Sequence, residues 1–168
     1  MTPRQIIRTP KIVIAEGEWK VVTKKATMPA TAFPMTKRDS FRLGRGWHWR
    51  VDVLQCCHIR VRLLTAFNPD TENYVAWLSM PRGENHAVLA RLEYHADHGD
   101  HCGWHCHAPC CDLSQVEIGQ PIGRNYARLP GGNGRHRRTE FDTTTDTWAL
   151  SRSFRFFRVA GTVEGGML

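Results

Sequence analysis

The sequence predicts an α+β domain in which an antiparallel β-meander of about four strands, preceded by an N-terminal hairpin, packs against a C-terminal helix. Apolar and polar residues alternate with a period of two in several stretches between residues 47 and 95, which is typical of half-buried strands. A segment that ends at Phe157 lacks glycine and proline, as expected of a helix. Between these regions, residues 93–111 hold five of the nine histidines and four of the six cysteines, which predicts a His/Cys-rich metal loop.

Length and composition are those of a single globular domain, residues 1–168. The chain is 41% hydrophobic and 23% charged, and it is long enough to bury a core without disulfides. No apolar run approaches the length of a membrane span, and the first residues lack the long apolar segment of a secretory signal. We therefore expect no membrane-inserted segment and a cytoplasmic location. Residues 161–168 are expected to be a frayed tail.

The first strands are expected within residues 12–22, where two short β-branched runs surround Gly17 and predict the N-terminal hairpin. Residues 23–46 are rich in lysine, threonine and proline, which predicts a loop-rich connection. In this connection basic residues are interleaved with Phe33 and Phe41. That pattern suits single-stranded nucleic acid, and a loop held to the core by its two phenylalanines produces the same pattern.

The predicted meander consists of four alternating segments at residues 47–53, 59–63, 74–80 and 88–94. Clusters of turn-forming residues separate the later segments. Strands that follow one another through short connections usually pair as antiparallel neighbours. The last strand leads directly into the His/Cys-rich segment.

The C-terminal helix is expected to begin at the hydroxyl and carboxylate residues 143–146, which are candidates for the N-cap, and to reach Phe157. Leu150, Phe154 and Phe157 recur at i, i+4 and i+7. This spacing predicts the apolar stripe by which the helix packs on the core.

Charge is distributed unevenly, with an acidic middle between two basic flanks. Residues 1–62 carry 13 basic and 4 acidic residues, residues 63–120 carry 2 and 8, and residues 121–168 carry 8 and 4. Basic flanks beside a candidate metal site suit a polyanion such as nucleic acid, and they also suit a solvated surface. The arginines expected to contact an anionic partner are Arg135, Arg137, Arg138, Arg152 and Arg155.

The metal ligands are expected among the histidines and cysteines of the dense segment. His105 and His107 flank a single residue, so in an extended segment both imidazoles point to one face and reach one ion. Cys110 is a candidate thiolate ligand, and Cys111 is its competitor. The further candidates, spaced three residues apart, are His95, His98 and His101. This mixture of imidazole and thiolate groups favours zinc or another divalent transition metal.

Glu93 and His95 lie two residues apart on the same face of the last predicted strand. They are candidates for the general base and the proton carrier that act on a metal-bound water. The alternative role of Glu93 is to hold a ligand histidine in one tautomer. Three protein ligands with a water would make a catalytic site, whereas four protein ligands would make a structural one.

Two resemblances to known families are present. Residues 93–98, Glu-Tyr-His-Ala-Asp-His, resemble the H-x-H-x-D-H motif of the metallo-β-lactamase fold, which implies a metal-dependent hydrolase. Glu93 stands in place of the first histidine of that motif, and the glycines that follow the motif are missing. The order of meander, cysteine-bearing loop and helix is similar to that of ubiquitin-conjugating proteins, which implies a thioester-carrying cysteine. The sequence shows neither their asparagine-bearing motif nor a leading helix.

Three functions follow from these patterns. The first is a zinc-dependent hydrolase that acts on nucleic acid or another anionic substrate. The second is a zinc-stabilised module without enzyme activity that binds nucleic acid or a protein partner. The third is a cysteine-dependent enzyme in which Cys106, Cys110 or Cys111 is a thiolate activated by a neighbouring histidine.

Overall fold

The computed structural model describes residues 1–24, 26–27, 32–33, 42–95, 103–118, 126–129 and 145–162. Its helices are α1 (Pro3–Arg8), α2 (Asp146–Phe157) and a 3-10 helix at Leu113–Gln115. Its strands are β1 (Lys11–Ala15), β2 (Lys20–Val21), β3 (Ala26–Thr27), β4 (Arg42–Leu43), β5 (His48–Cys56), β6 (Ile59–Asn68), β7 (Asn73–Arg82), β8 (Asn85–His95), β9 (Gly103–Pro109), β10 (Tyr126–Leu129) and β11 (Val159–Thr162).

Strands β5 to β8 form the predicted meander, and each pairs antiparallel with the next. The whole sheet is larger than expected, since nine strands take part in the described ranges, in the order β10-β9-β8-β7-β6-β5-β1-β11 with β2 beside β5. A separate two-stranded sheet joins β3 and β4. β1 and β11 pair parallel, so the large sheet is mixed. The α+β class is confirmed, whereas the expected number of strands was wrong because the strands outside the meander are short or lack a clear apolar alternation.

The sheet separates two hydrophobic clusters. On one face, called the helix face below, α1 and α2 pack on residues such as Tyr74 and Leu92. On the opposite face, called the site face below, Phe33 packs with Val75 and Trp77. Phe33 is 2% exposed, so the connection between β2 and β5 is anchored to the core at this phenylalanine. Its expected companion, Phe41, lies outside the described ranges.

The expected N-terminal hairpin was wrong. β1 and β2 do not pair with each other, because both pair with successive parts of β5. The glycine between them allows a close approach of two strands: a β-carbon at Gly17 would lie 2.2 Å from the carbonyl oxygen of Val51. The amide of Gly17 also donates a hydrogen bond of 2.9 Å to Oδ1 of Asp52. β1 and β2 therefore follow β5 as one interrupted strand.

Helix α2 confirms the predicted helix, but its buried stripe differs from the expected one. Its N-cap is Thr145, whose side chain accepts a hydrogen bond from the first turn of the helix. The residues buried against the sheet are Ala149, Ser153 and Phe157. Leu150 and Phe154 are only partly buried. The small residues Ala149 and Ser153 therefore take the buried positions expected for Leu150 and Phe154. This orientation of the helix allows the Ser153 hydroxyl, 2.5 Å from the hydroxyl of Tyr74, to form a buried hydrogen bond with it.

The described elements that the sequence did not predict include α1 and β11. α1 begins with a capping box, in which Thr2 and Gln5 exchange hydrogen bonds between side chain and backbone. β11 includes Gly161 and Thr162, which therefore belong to a strand and not to the expected frayed tail. The rest of that tail, residues 163–168, lies outside the described ranges.

Lys11 joins both helices to the sheet. Its side chain is 1% exposed, and its ammonium group donates to the carbonyl oxygens of Ile6 at 2.6 Å and Phe157 at 2.8 Å, and also to those of Ile7 and Thr9. The last carbonyl groups of a helix have no partner within the helix. Burial lowers the pKa of Lys11 to about 8, although the neighbouring Cys56 raises it. One side chain thus satisfies carbonyl groups at the ends of α1 and α2.

We expect Lys11→Met to lower the free energy of unfolding by about 3 kcal/mol, because buried carbonyl oxygens lose their donor. Lys24→Met is the control, since it removes an exposed lysine and should change that free energy by less than about 0.5 kcal/mol. Chemical denaturation of both variants measures the difference. Equal stability of the two would contradict the role of Lys11.

Gly17→Ala should lower the free energy of unfolding by about 1–3 kcal/mol, because the new β-carbon collides with the backbone of Val51. Gly161→Ala is the matched control, since a β-carbon at that position meets no atom within 4 Å. The midpoint of thermal unfolding should fall for the first variant and stay close to wild type for the second. A harmless Gly17→Ala substitution would show that β1 and β2 do not approach β5 as described.

Candidate metal centre

The paired strands β8 and β9 bring the acidic and histidine side chains together. In the antiparallel register, Glu93 lies opposite His105 and Arg91 lies opposite His107. Directly opposite residues of antiparallel strands have Cβ atoms about 4.5–5.5 Å apart. Glu93 and His105 are therefore neighbours on the sheet although they are distant in sequence.

A β-bulge in β8 decides which face these side chains occupy. The pairing of β8 with β7 shifts its register at Leu89, which is an extra residue without a partner on β7. A shift by one residue moves the following side chains to the other face of a sheet. Val88, before the bulge, packs on the site face, whereas Leu92, after it, packs on the helix face. The bulge thereby places Glu93 and His95 on the site face.

The expected metal loop was wrong for the part of the segment that is described. Residues 103–109 form β9, which pairs with β8 on one side and with β10 on the other. Its histidines alternate with Trp104 and Cys106, which pack on the helix face. This is a strand pattern, and the sequence obscures it because histidine and cysteine both resemble metal ligands. Residues 96–102, which include the candidates His98 and His101, lie outside the described ranges.

Glu93, His95 and His105 form a group that could hold one metal ion. One ligand atom of each residue lies within 4.8 Å of those of the other two. Nε2 of His105 is 3.6 Å from Oε2 of Glu93, and the ring centroids of the two histidines are 5.5 Å apart. Ligand atoms about 2.0–2.1 Å from a tetrahedral zinc ion lie about 3.4 Å from one another. Binding therefore requires the most distant ligand atoms to approach by up to about 1.4 Å, which side-chain rotation can supply.

Hydrogen bonds set the tautomers of both histidines. Nδ1 of His105 lies 3.2 Å from the carbonyl oxygen of Gly103, and Nδ1 of His95 lies 3.2 Å from Oδ1 of Asn73. Both oxygen atoms only accept hydrogen bonds, so each Nδ1 carries a proton. When an ion binds, Nε2 of each ring is then the nitrogen that gives up any proton it holds and supplies its lone pair to the metal. Metal-ligating histidines are commonly oriented by such a hydrogen bond from their other nitrogen.

Arg91 fixes the carboxylate of Glu93. Its Nε donates to Oε1 of Glu93 at 3.1 Å, and its Nη2 donates to the same oxygen. The guanidinium carbon of Arg91 lies 4.7 Å from the centroid of the Trp77 ring, so the cation packs on an aromatic face. Oε1 of Glu93 is held by Arg91, while Oε2 is directed to His105.

The environment keeps Glu93 ionised. Burial raises the pKa of Glu93, but the hydrogen bond from His105 and the charge and hydrogen bonds of Arg91 outweigh burial and lower the pKa to about 2. A general base works best when its pKa lies near the operating pH. Glu93 is therefore better suited to ligate a cation than to accept a proton.

Two further ligand candidates, His107 and Cys110, lie outside the group of three. The ring centroid of His107 is 5.0 Å from that of His105, and the rings are nearly perpendicular, so the two histidines share a face as expected. Cys110 follows the end of β9 and is exposed. Among the described residues, the group that converges on one point consists of Glu93, His95 and His105.

The buried cysteine of β9 does not suit a nucleophilic role. Cys106 is 1% exposed and belongs to the cluster on the helix face, across the strand from His105 and His107. Burial raises the pKa of its thiol to about 12. A thiol with this pKa carries almost no thiolate at neutral pH, and the thiolate is the reactive form.

The described arginine candidates lie across the sheet from the group. Arg152 and Arg155 belong to α2, which covers the helix face. The guanidinium carbon of Arg152 lies 4.6 Å from the centroid of the Trp104 ring, and Arg155 is exposed. Neither arginine lines the group on the site face. The other arginine candidates, Arg135, Arg137 and Arg138, lie outside the described ranges.

Two residues of the centre, Arg91 and Asn73, were not found by the sequence analysis. Arg91 lies two residues before Glu93, so the alternation of β8 places both on one face and could have indicated their contact. Asn73 begins the neighbouring strand β7 and has the composition of a turn residue. Its contact with His95 depends on the pairing of β7 with β8, for which the local sequence has no signal.

Comparisons with protein-family models, with curated proteins and with solved structures found no match for the chain. They therefore give no support to the resemblances to the metallo-β-lactamase fold and to ubiquitin-conjugating proteins. No helix of the described residues is long and apolar enough to cross a membrane. What the protein does must be inferred from the geometry of the group itself.

In protein treated with a chelator, Glu93→Gln should lower the free energy of unfolding by about 2–4 kcal/mol at neutral pH, because Arg91 loses the carboxylate with which it forms an ion pair. The double variant Arg91→Met/Glu93→Gln should recover at least about 1 kcal/mol of this loss. The pKa of Glu93 falls from 4.5 to about 2 on folding. The stabilisation is therefore fully present above pH 4.5 and is lost as the pH falls towards 2. Additive effects of the two substitutions would contradict the ion pair.

Proposed function

We propose that this protein binds one divalent transition metal ion through Glu93, His95 and His105, and that zinc is the preferred ion. The observation that carries the proposal is the convergence of one carboxylate and two imidazoles within 4.8 Å. Two histidines and a glutamate are the ligands of known catalytic zinc sites, and two histidines and a carboxylate also bind iron(II). Zinc is preferred because such ligands generally bind zinc more tightly than iron(II).

Three protein ligands leave one position of a tetrahedral zinc ion for water or substrate. Zinc lowers the pKa of a bound water to about 7, which supplies hydroxide at neutral pH. The function that this arrangement supports best is metal-dependent hydrolysis of an anionic substrate. Glu93 and His95 act as ligands in this proposal, and not as the base and proton carrier expected from the sequence. His107, beside His105, takes the role of proton carrier.

A zinc-stabilised module without enzyme activity is the second candidate. The observation that favours it is the burial of Glu93 and His105, each of which is 5% exposed. In such a module a fourth protein ligand closes the coordination sphere of the ion, as in structural zinc sites. The histidines nearest in sequence that could supply this ligand are His98 and His101, outside the described ranges.

Elemental analysis of the purified protein should find about one zinc ion per chain, since the three ligands form one site. His105→Ala should weaken zinc binding by about 100-fold or more, because loss of a ligand costs at least as much as loss of its orienting partner. His58→Ala should leave zinc affinity unchanged, since His58 is exposed in the turn between β5 and β6. Cys110→Ala should also leave it unchanged.

His58 is the control in place of His86, a histidine outside the group that lies in β8 and is buried. His86 is 6% exposed, and its Nδ1 lies 2.9 Å from the hydroxyl oxygen of Ser79, so its substitution would disturb the sheet. Equal zinc affinity of the His105→Ala and His58→Ala variants would contradict the proposed site. Zinc-dependent hydrolysis of a chromogenic phosphate ester by wild type, lost in His105→Ala, would favour the hydrolase over the structural module.

A further inference from the structure

The proposed zinc site has an unusual charge balance among the described residues. Its single carboxylate, Glu93, is already paired with Arg91, and the two histidines are neutral when they ligate. With both histidines neutral, as ligation requires, the group and its arginine carry no net charge apart from that of the ion. A zinc ion adds two positive charges that no described side chain of the group offsets.

Burial makes this imbalance costly. Glu93 and His105 are each 5% exposed, so water solvates an ion between them poorly. A buried charge without compensation is unfavourable, and a bound metal ion is usually the largest charge in its site. The open coordination position is the place where a compensating negative charge can enter at the shortest distance from the ion.

We infer that the open position of the ion binds an oxyanion, which is either a carboxylate or a phosphate monoester, as substrate or product. This inference rests on the proposed function. Hard oxygen ligands suit zinc, and the negative charge offsets the ion beside the Arg91 guanidinium. The burial of two of the three ligands favours a terminal group that enters the site over an internal phosphodiester of a long nucleic acid. The substrate class is therefore a small molecule or chain end that carries such a group.

The inference predicts that zinc and oxyanion bind cooperatively. Coupling between two ligands is reciprocal, so an anion that tightens zinc binding must itself bind more tightly when zinc is present. Zinc affinity is measured by competition with a chromophoric chelator, with and without acetate or methyl phosphate, and with free zinc calibrated in each buffer. We expect each anion to tighten zinc binding by about tenfold or more in wild type.

Arg91→Met tests the electrostatic origin of this coupling. Removal of the guanidinium lowers the positive charge of the loaded site, so the variant should bind zinc at least as tightly in the absence of the anions and should show weaker coupling. Arg60→Met is the matched control, since it removes an exposed arginine of β6 and should keep the coupling of wild type. Equal coupling in the two variants would overturn the electrostatic argument.

The possible results separate this inference from the proposed function. No zinc binding by wild type would overturn both. Zinc binding that depends on His105 but not on the anions would overturn the inference alone.

Discussion

The pairing of β8 with β9 after the bulge at Leu89 is the constraint on which the candidate site depends. The pairing places Glu93 opposite His105, and the bulge turns both Glu93 and His95 away from the helices. Because side chains alternate across a strand, a slip of one residue would bury these polar groups in the apolar cluster beneath α2. The same register places Cys106 in that cluster. The packing of the core and the geometry of the site therefore depend on the same strand register.

Two strands use an arginine and a carboxylate, two residues apart, as a buried pair. Arg50 and Asp52 form one on β5, Arg91 and Glu93 form the other on β8, and each arginine lies over a tryptophan ring. Asp52 directs an oxygen to the backbone amide of Gly17, where it fixes the interrupted strand formed by β1 and β2. Glu93 directs an oxygen to an imidazole. The arginine–carboxylate pair of β5 is thus structural, because its carboxylate also accepts a hydrogen bond from a backbone amide. The pair of β8 is suited to bind a cation, because its carboxylate faces histidines.

Sequence patterns predict those parts of the structure that are determined within one element. The alternation of β5 to β8 and the capped run of α2 were sufficient to predict the meander and the helix. The role of Gly17 was misread as a turn because its close contact with Val51 is made by a distant strand. Glu93, His95 and His105 were among the predicted site residues, but the sequence did not predict which of the candidates converge. Whether Cys110 or Glu93 joins His105 depends on the strand register and on one extra residue in β8.

X-ray absorption spectroscopy at the zinc edge, on protein loaded with one equivalent of zinc, tests the proposed ligand set most directly. Glu93, His95 and His105 predict a first shell of nitrogen and oxygen atoms at about 2.0–2.1 Å, with the outer scattering of two imidazole rings. A zinc–sulfur distance of about 2.3 Å would contradict the proposed site, because it would place a cysteine such as Cys110 on the ion.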